Sequence, residues 1–270
     1  MFSPYYALAR RRGAADPLDH CALNVALYRP RGKRWGMTER RRDAIAHDAD
    51  HFAIGNSRLT WNGDALTIDI DEVAVPFPSR LRGRVRVVPS ALNDTSFALD
   101  AAARHRWWPI APCCRVAVDL DRPNWHWRGD GYFDINHGDA PLEADFAGWQ
   151  WSRAATRTGT VLSYDTSAID GTERSLGLRF DAAGNLTQSS SLPPTALPST
   201  AWRIGRTARV DADQAPRILR TLEDAPFYAR SQLAARVFGE DVAMMHESLS
   251  LARFRKPIVQ AMLPFRMPRW

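Results

Sequence analysis

The stretch Trp61-Asn62-Gly63-Asp64-Ala65-Leu66-Thr67-Ile68-Asp69-Ile70-Asp71 decides the fold class of this chain of 270 residues. Residues 66–71 alternate between apolar and polar side chains, which is the period-2 pattern of a strand with one buried face and one wet face. The Asn-Gly pair at 62–63 is a strong signal for a two-residue hairpin turn. The stretch therefore predicts two antiparallel strands joined by a tight turn.

The same pattern continues on both sides of this hairpin. Short runs with strand character are separated by glycine, proline or Asn-Gly, and they cover residues 20–28, 51–54, 58–61, 65–75, 82–88, 96–100, 104–109, 115–120, 124–127, 131–134, 159–164, 175–180, 200–210 and 242–254. Short helices are expected at residues 38–49 and 215–222. Strands at this spacing predict a sandwich or an antiparallel barrel. We expect a mainly β chain with two β units, at residues 1–152 and 153–270.

Composition limits the class of protein. Hydrophobic residues make up 45% of the chain, enough for one large or two small domains. No run approaches the roughly 18 apolar residues of a membrane-spanning helix. The first residues, Met1-Phe2-Ser3-Pro4-Tyr5-Tyr6, lack the pattern of a signal peptide. These features predict a protein on the cytoplasmic side of a membrane, attached peripherally or not at all.

The charge balance favours one class of partner over another. The net charge is +6, and all but two of the 36 basic residues are arginine. The arginines are scattered among carboxylates and no nucleic-acid-binding motif is present, so an anionic lipid surface is favoured over nucleic acid. The apolar tail at residues 257–270 is predicted either to close a barrel or to touch a membrane interface. Three cysteines, Cys21, Cys113 and Cys114, predict free thiols.

The sequence contains only incomplete versions of several known metal-binding and catalytic motifs. His47 and His51 have the spacing of a metal pair on a helix, but no third ligand is implied nearby, so a solvated loop is expected. Asp134-x-Asn136-x-Gly138 lacks the later ligands of a calcium loop. No dinucleotide fingerprint, phosphate loop or Gly-x-Ser-x-Gly is present. The sequence therefore gives no support to hydride transfer, phosphoryl transfer or serine hydrolysis.

Two short strand segments contain side chains that could form an active site. Tyr132 and Asp134 are two positions apart, as are His105 and Trp107, and side chains two apart lie on the same face of a strand. If the two strands are neighbours, one pocket wall carries a carboxyl, a phenol, an imidazole and an indole. Such a wall suits acid chemistry on an apolar substrate. Turn capping by Asp134 and ordinary packing of the other three side chains are the structural alternatives.

The chain resembles the carotenoid 1,2-hydratases, also called hydroxyneurosporene synthases. The matching segments span nearly the whole chain and are Phe2-Ser3-Pro4-Tyr5-Tyr6, residues 19–28, His51-Phe52-Ala53-Ile54-Gly55, residues 131–139, Trp149-Gln150-Trp151-Ser152-Arg153-Ala154 and residues 245–251. Members of this family usually carry a further segment, rich in Trp and Tyr, before Phe-Ser-Pro-Tyr-Tyr. The resemblance therefore predicts a start site upstream of Met1 or the loss of one or two strands.

The resemblance implies a lipocalin-like antiparallel fold and cofactor-free addition of water to the terminal double bond of acyclic carotenoids such as neurosporene and lycopene, on the way to spheroidene or spirilloxanthin. It places the protein at the inner or photosynthetic membrane. The family's characteristic positions fall on His105, Trp107, Tyr132 and Asp134.

These residues yield a hypothesis for the chemistry. Asp134, with its pKa raised by burial, is expected to protonate the alkene, while Trp107 and Tyr132 stabilise the tertiary cation. His105 is expected to hydrogen-bond the carboxyl or to position the water. The alternative acids are Asp130, Asp139 and Glu143. The alternative functions are a lipocalin-like carotenoid or lipid carrier without chemistry and a cofactor-free cyclase acting on a polyene.

Overall fold

The computed structural model describes residues 2–30 and 32–270. Its strands in the first half of the chain are β1 (Cys21–Tyr28), β2 (Lys33–Arg40), β3 (Ile45–His47), β4 (His51–Ile54), β5 (Ser57–Trp61), β6 (Leu66–Val73), β7 (Arg80–Pro89), β8 (Phe97–Ala98), β9 (His105–Arg122) and β10 (Trp125–Gly138). The strands in the second half are β11 (Phe146–Thr156), β12 (Gly159–Ala168), β13 (Glu173–Asp181), β14 (Leu186–Ser189), β15 (Pro194–Leu197), β16 (Arg206–Arg209), β17 (Arg217–Asp224), β18 (Tyr228–Val237) and β19 (Glu240–Ser250).

The helices are short. They are α1 (Pro4–Arg12), α2 (Leu142–Asp145), α3 (Leu251–Phe254) and α4 (Pro257–Met262), with 3-10 turns at Pro17–His20, Arg42–Ala44 and Leu263–Phe265. Within residues 2–30 and 32–270, none of these helices combines the length and the apolar character needed to cross a bilayer.

The chain forms two compact units, each built from discontinuous ranges. The first unit comprises Met1–Pro89, Arg115–Gly131 and Gln260–Trp270, and the second comprises Ser90–Cys114 and Tyr132–Val259. These units differ from the consecutive domains, 1–152 and 153–270, that the sequence predicted. Residue 152 lies inside β11, which pairs along its length with β12 on one side and β19 on the other, so the chain has no break there.

The predicted hairpin lies in the first unit. Strands β5 and β6 pair antiparallel with Trp61 opposite Leu66, and Gly63 adopts a φ of 92° in the turn between them. The side chain of Asn62 accepts a hydrogen bond from the backbone N–H of Ala65 at 2.9 Å, which fixes the turn. Leu66 and Ile70 are buried, as the alternation predicts.

The second unit contains a seven-stranded antiparallel sheet in the order β14-β13-β12-β11-β19-β18-β17. The hairpin β15-β16 packs against one face of this sheet through buried apolar side chains. This core cluster contains Ala154, Val161, Leu197, Ala208, Val210, Leu233, Ala235, Val237 and Met244. Successive side chains of a strand point to opposite faces of the sheet. The other face of these strands is therefore formed by the residues that alternate with the core cluster.

The prediction of a mainly β chain with antiparallel sheets, two β units and few short helices is confirmed. The strand order leaves β14 and β17 at the edges of the second sheet, so the lipocalin-like barrel stays a prediction.

The two helices predicted at residues 38–49 and 215–222 are wrong. Residues 38–49 form the end of β2, a 3-10 turn and β3, because Thr38 pairs with Leu23 of β1 and is buried there. Residues 215–222 enter β17, where a register shift between Thr221 and Glu223 interrupts the alternation. This shift buries two consecutive residues, Leu222 and Glu223, which hides the period-2 signal of a strand.

The core cluster gives a stability prediction. Leu233 is fully buried, so Leu233→Ala is expected to lower the free energy of unfolding by about 2–5 kcal/mol through lost transfer energy and a residual cavity. The matched control is Leu219→Ala on the neighbouring strand β17, where the side chain is 46% exposed and the expected change is within about 0.5 kcal/mol. Urea denaturation of both variants measures the difference, and equal losses would contradict the assignment of this core.

Candidate active site

Strands β9 and β10 supply the four residues that the sequence singled out. His105 and Trp107 are both buried on one face of β9, with exposed fractions of 2% and 0%. Tyr132 and Asp134 are half-buried on β10, the neighbour of β9 in the sheet order. The predicted adjacency of the two strands is therefore present in the second unit.

Three of the four side chains meet in one hydrogen-bonded group. The indole Nε1 of Trp107 donates to Oδ2 of Asp134 at 2.8 Å, and the Tyr132 hydroxyl donates to the same oxygen at 2.9 Å. Trp107 Nε1 also lies 3.1 Å from the Tyr132 hydroxyl oxygen, which accepts from it. Both donors are neutral and both use Oδ2, so a proton carried by this carboxyl group resides on Oδ1.

The surroundings shift the pKa of Asp134 upward. Burial of the carboxyl group is the largest cause, and the nearby negative charge of Glu247 acts in the same direction. The hydrogen bonds from Trp107 and Tyr132 oppose the shift by stabilising the ionised form. The net result is a carboxyl group that holds its proton more firmly than an exposed aspartate does.

Aromatic rings surround this carboxyl group. Trp107 packs edge-on against Tyr164, with ring centroids 5.2 Å apart, and Tyr132 packs against Trp151 at 5.6 Å. Trp149 packs against Tyr164 at 6.2 Å. Indole and phenol rings carry a negative π face, so this enclosure favours a developing positive charge and an apolar substrate.

Both tyrosines of the enclosure remain neutral. Burial raises the pKa of Tyr132 and of Tyr164 well above the ordinary value, with the charge of Asp134 as the second cause in each case. The hydroxyl groups therefore stay protonated at neutral pH, and that of Tyr132 stays a donor to Asp134.

The seven-stranded sheet provides the opposite wall through one row of paired residues. Trp151 of β11 lies opposite Tyr164 of β12 and opposite Glu247 of β19, and Glu247 lies opposite Arg230 of β18. Glu247 and Arg230 form an ion pair of 2.6 Å. Neighbouring His246 points to the other face, where Nε2 bonds the carbonyl oxygen of Thr207 and burial lowers the pKa of the imidazole to about 4.

His105 is held by a different carboxylate from the one expected. Its Nε2 lies 2.6 Å from Oδ2 of Asp145, and Arg104 also pairs with Asp145. On the other side, a Cβ at Gly138 would lie 2.5 Å from Nδ1 of His105, so only glycine permits this close approach. The predicted hydrogen bond from His105 to Asp134 is thus replaced by a hydrogen bond with Asp145.

The alternative acids lie outside the aromatic enclosure. Asp130 is exposed and pairs with Arg115. Asp139 is exposed, and its backbone N–H donates to the carbonyl of Arg104 at 3.0 Å. Glu143 lies in the short helix α2, which carries no buried residue. Of the four candidates, Asp134 alone has the aromatic surroundings described above.

The two histidines with metal-pair spacing are not on a helix: His47 ends β3 and His51 begins β4. Nδ1 of His51 lies 3.0 Å from Oδ1 of Asp48 in the exposed turn between these strands. Across the two described ranges, no three His, Cys, Asp or Glu side chains gather in a way that could hold a metal ion.

Sequence reasoning missed Tyr164, Asp145 and Glu247. Trp149 and Trp151 have the period-2 spacing of a strand face. That face extends to Tyr164 only when the register of β11 with β12 is known, and to Glu247 only when the register with the distant strand β19 is known. Asp145 lies in the short helix α2, and no sequence signal connects it with His105.

Comparison with known proteins adds independent findings. A protein-family model described as "Carotenoid hydratase CrtC" matches residues 1–270. Three curated relatives named acyclic carotenoid 1,2-hydratase align over the whole chain, from Thiocapsa roseopersicina at 55% identity, Rubrivivax gelatinosus at 46% and Rhodobacter capsulatus at 39%. The chain covers 67% of each of the first two relatives and 95% of the third. Among solved structures, the crystal structure of CghA with Sch210972 matches 82% of this chain and 80% of that chain, with 11% identity and a TM-score of 0.47.

The raised pKa of Asp134 gives a prediction for stability. A carboxyl group with a raised pKa in the folded state contributes stability below its unfolded value of about 3.9, and this contribution is lost as pH rises through the folded pKa. The free energy of unfolding of the wild type, relative to Asp134→Asn, is therefore expected to fall as pH rises above about 4. Urea denaturation across a pH series measures this difference, and a difference that grows with pH would contradict the assigned shift.

Proposed function

The chain belongs to the carotenoid hydratase CrtC family, and we propose that it adds water across the terminal C1–C2 double bond of acyclic carotenoids such as neurosporene and lycopene. The observation that carries this proposal is the Asp134 carboxyl group, which is bonded by two neutral donors inside a ring of aromatic side chains. Asp134 is the proton donor in this proposal.

The first step needs a strong acid that is still protonated near neutral pH. An ordinary aspartate has a pKa of about 3.9 and is ionised there. Burial of Asp134 and the charge of Glu247 favour the protonated form. Proton transfer from Oδ1 to C2 leaves a tertiary cation at C1, and the oxygen of water then bonds to C1.

The aromatic rings lower the energy of the cation. Trp107, Tyr132 and Trp151 belong to the enclosure around Asp134, and a desolvated cation facing such rings gains about 2 kcal/mol or more. The ionised Asp134 that remains after proton transfer adds an opposite charge beside C1. These groups need no rearrangement when the charge forms, which is the condition for effective electrostatic catalysis.

In this proposal His105 does not contact the reacting atoms and acts through Trp107. Its bond to Asp145 and its packing against Phe146, with ring centroids 4.9 Å apart, fix the start of β9 two residues before Trp107. His105 is therefore a positioning residue for the indole that donates to Asp134.

Replacing the acid is the test of this function. Asp134→Asn keeps the shape of the side chain and removes its acidic proton, so hydration is expected to fall at least about 100-fold, the lower range for general acid catalysis. The measurement is the mass of carotenoids extracted from membranes that accumulate lycopene, where each hydration adds one water.

Asp139→Asn is the matched control because Asp139 is exposed on the segment that follows β10. Substantial hydration by Asp134→Asn would refute the assignment of the acid. A wild-type protein that binds carotenoid and leaves its mass unchanged would favour the carrier, and an isomer of equal mass would favour the cyclase.

The location proposed for the protein is the cytoplasmic surface of the membrane that dissolves its substrate. Ile258 in α4 is an apolar side chain that is 67% exposed near the end of the second unit. The exposed cations Arg255 and Lys256 precede it in the same unit. An apolar side chain beside positive charge matches the interface of an anionic bilayer.

Vesicle binding tests this location. Ile258→Asp is expected to weaken binding to vesicles that contain anionic lipid by about tenfold, because it replaces an apolar contact with a negative charge that the anionic lipids repel. Leu186→Asp on β14 is the control, since Leu186 is 41% exposed but lies far along the chain from Ile258. Equal binding by Ile258→Asp and the wild type would contradict this docking site.

A further inference from the structure

The second carboxylate near the aromatic enclosure has no role in the steps described so far. Glu247 stands opposite Trp151 in the register of β11 and β19, and directly paired residues have Cβ atoms about 5 Å apart. The ring of Trp151 in turn packs against Tyr132, whose hydroxyl donates to Asp134. Glu247 therefore faces the same space as Asp134, from the opposite wall.

The two carboxyl groups differ in the charge of their partners. Asp134 receives its hydrogen bonds from the neutral groups of Trp107 and Tyr132. Glu247 instead pairs through Oε1 with the guanidinium of Arg230 at 2.6 Å, and both side chains are partly buried. A carboxylate has acceptor sites on two oxygens, and the oxonium formed when water adds to C1 is a far stronger acid than a carboxylic acid. A carboxylate on the wall opposite Asp134 can therefore take the proton that this oxonium must lose.

A donor for an oxygen ligand lies beside this carboxylate. The indole Nε1 of Trp151 is buried and has no hydrogen-bond acceptor in the described part of the chain. Buried N–H groups are normally satisfied, so this one is available to an oxygen of water or of a hydroxyl group. Its strand partner is Glu247, which places a donor and an acceptor for one water side by side.

We infer that Glu247 is the catalytic base of the hydration, taking a proton from the water that adds to C1, with Trp151 as the residue that positions this water. This inference rests on the proposed function and extends it to the second half of the reaction.

Asp134 gives its proton to C2, and the π electrons of the C1–C2 bond form the new C–H bond. A lone pair of the water oxygen forms the C–O bond at C1, and the oxonium loses one proton to the carboxylate of Glu247. Asp134 is then ionised and Glu247 is neutral, and return of the proton through solvent or directly between them restores the enzyme.

The arrangement assigns opposite roles to two carboxyl groups through their environments, a known way to obtain an acid and a base in one site. The negative charge of Glu247 also raises the pKa of Asp134. Ionisation of the base therefore helps keep the acid protonated before the substrate reacts.

The experiment separates the two halves of the reaction by isotope exchange. The hydroxylated carotenoid is incubated in ¹⁸O-water, where the reverse reaction forms the cation and water returns with labelled oxygen. Glu247→Gln keeps the size of the side chain and a hydrogen-bond acceptor for Arg230. It is expected to lower both hydration and ¹⁸O exchange at least about 100-fold. Asp134→Asn is expected to lose hydration but to retain part of the exchange: forming the cation from the alcohol does not require removal of the C2 proton, although the variant loses the negative charge beside C1.

Three further variants separate a catalytic role of Glu247 from a structural one. Glu240→Gln alters another glutamate of β19 that pairs with an arginine, Arg157, and is expected to leave both rates unchanged. Glu247→Asp keeps the carboxylate and is expected to recover part of the exchange, which a merely structural role would not predict. Trp151→Phe keeps the ring and loses the N–H, and is expected to slow exchange by about tenfold, the order expected for one hydrogen bond.

Exchange by Glu247→Gln within tenfold of the wild type, in a variant that still binds carotenoid, would overturn Glu247 as the base. Continued hydration by Asp134→Asn would instead overturn the proposed acid, while the exchange measured with Glu247→Gln still decides the role of Glu247.

Discussion

The candidate site is arranged around one ionisable carboxyl group, that of Asp134, which lies inside an aromatic enclosure. Removing Asp134 from water penalises its charged form, and the two donors on Oδ2 offset that penalty only in part. A carboxyl group so placed holds its proton to a higher pH than an exposed aspartate does, which is the property that the proposed proton donor needs. The tyrosines share this constraint, since burial also keeps the hydroxyl of Tyr132 protonated as a donor.

Antiparallel pairing is what brings these groups together. Period-2 alternation on β9 and β10 gives one wall, and the row across β12, β11, β19 and β18 gives the opposite wall. The other face of the same sheet is filled by the hairpin β15-β16 and the cluster around Leu233. One face of the sheet is therefore anchored in a packed core. The other face holds the polar and aromatic side chains of the candidate active site.

Much of this arrangement is local in sequence and was predictable. The Asn62-Gly63 hairpin, the β class, the shared face of His105 and Trp107 and the shared face of Tyr132 and Asp134 follow from spacings of one or two residues. That the two strands are neighbours was only a condition of the prediction. Glu247 was not predictable because it requires the register between the distant strands β11 and β19, and Asp145 was not because it reaches His105 from the short helix α2. The strand at Arg217–Asp224 was mistaken for a helix because a register shift removed its alternation. His105 was placed correctly in the wall, but its carboxylate partner was not identified.

As the proposed proton donor, Asp134 must still be protonated at the pH where the enzyme works. Infrared difference spectroscopy on protein with ¹³C-labelled aspartate measures its protonation directly. We expect a carbonyl band of a protonated carboxyl group at neutral pH in the wild type, absent from Asp134→Asn and lost only at higher pH than for aspartates in water. A band that disappears together with those of exposed aspartates, near pH 4, would show that Asp134 is ionised and would rule it out as the proton donor.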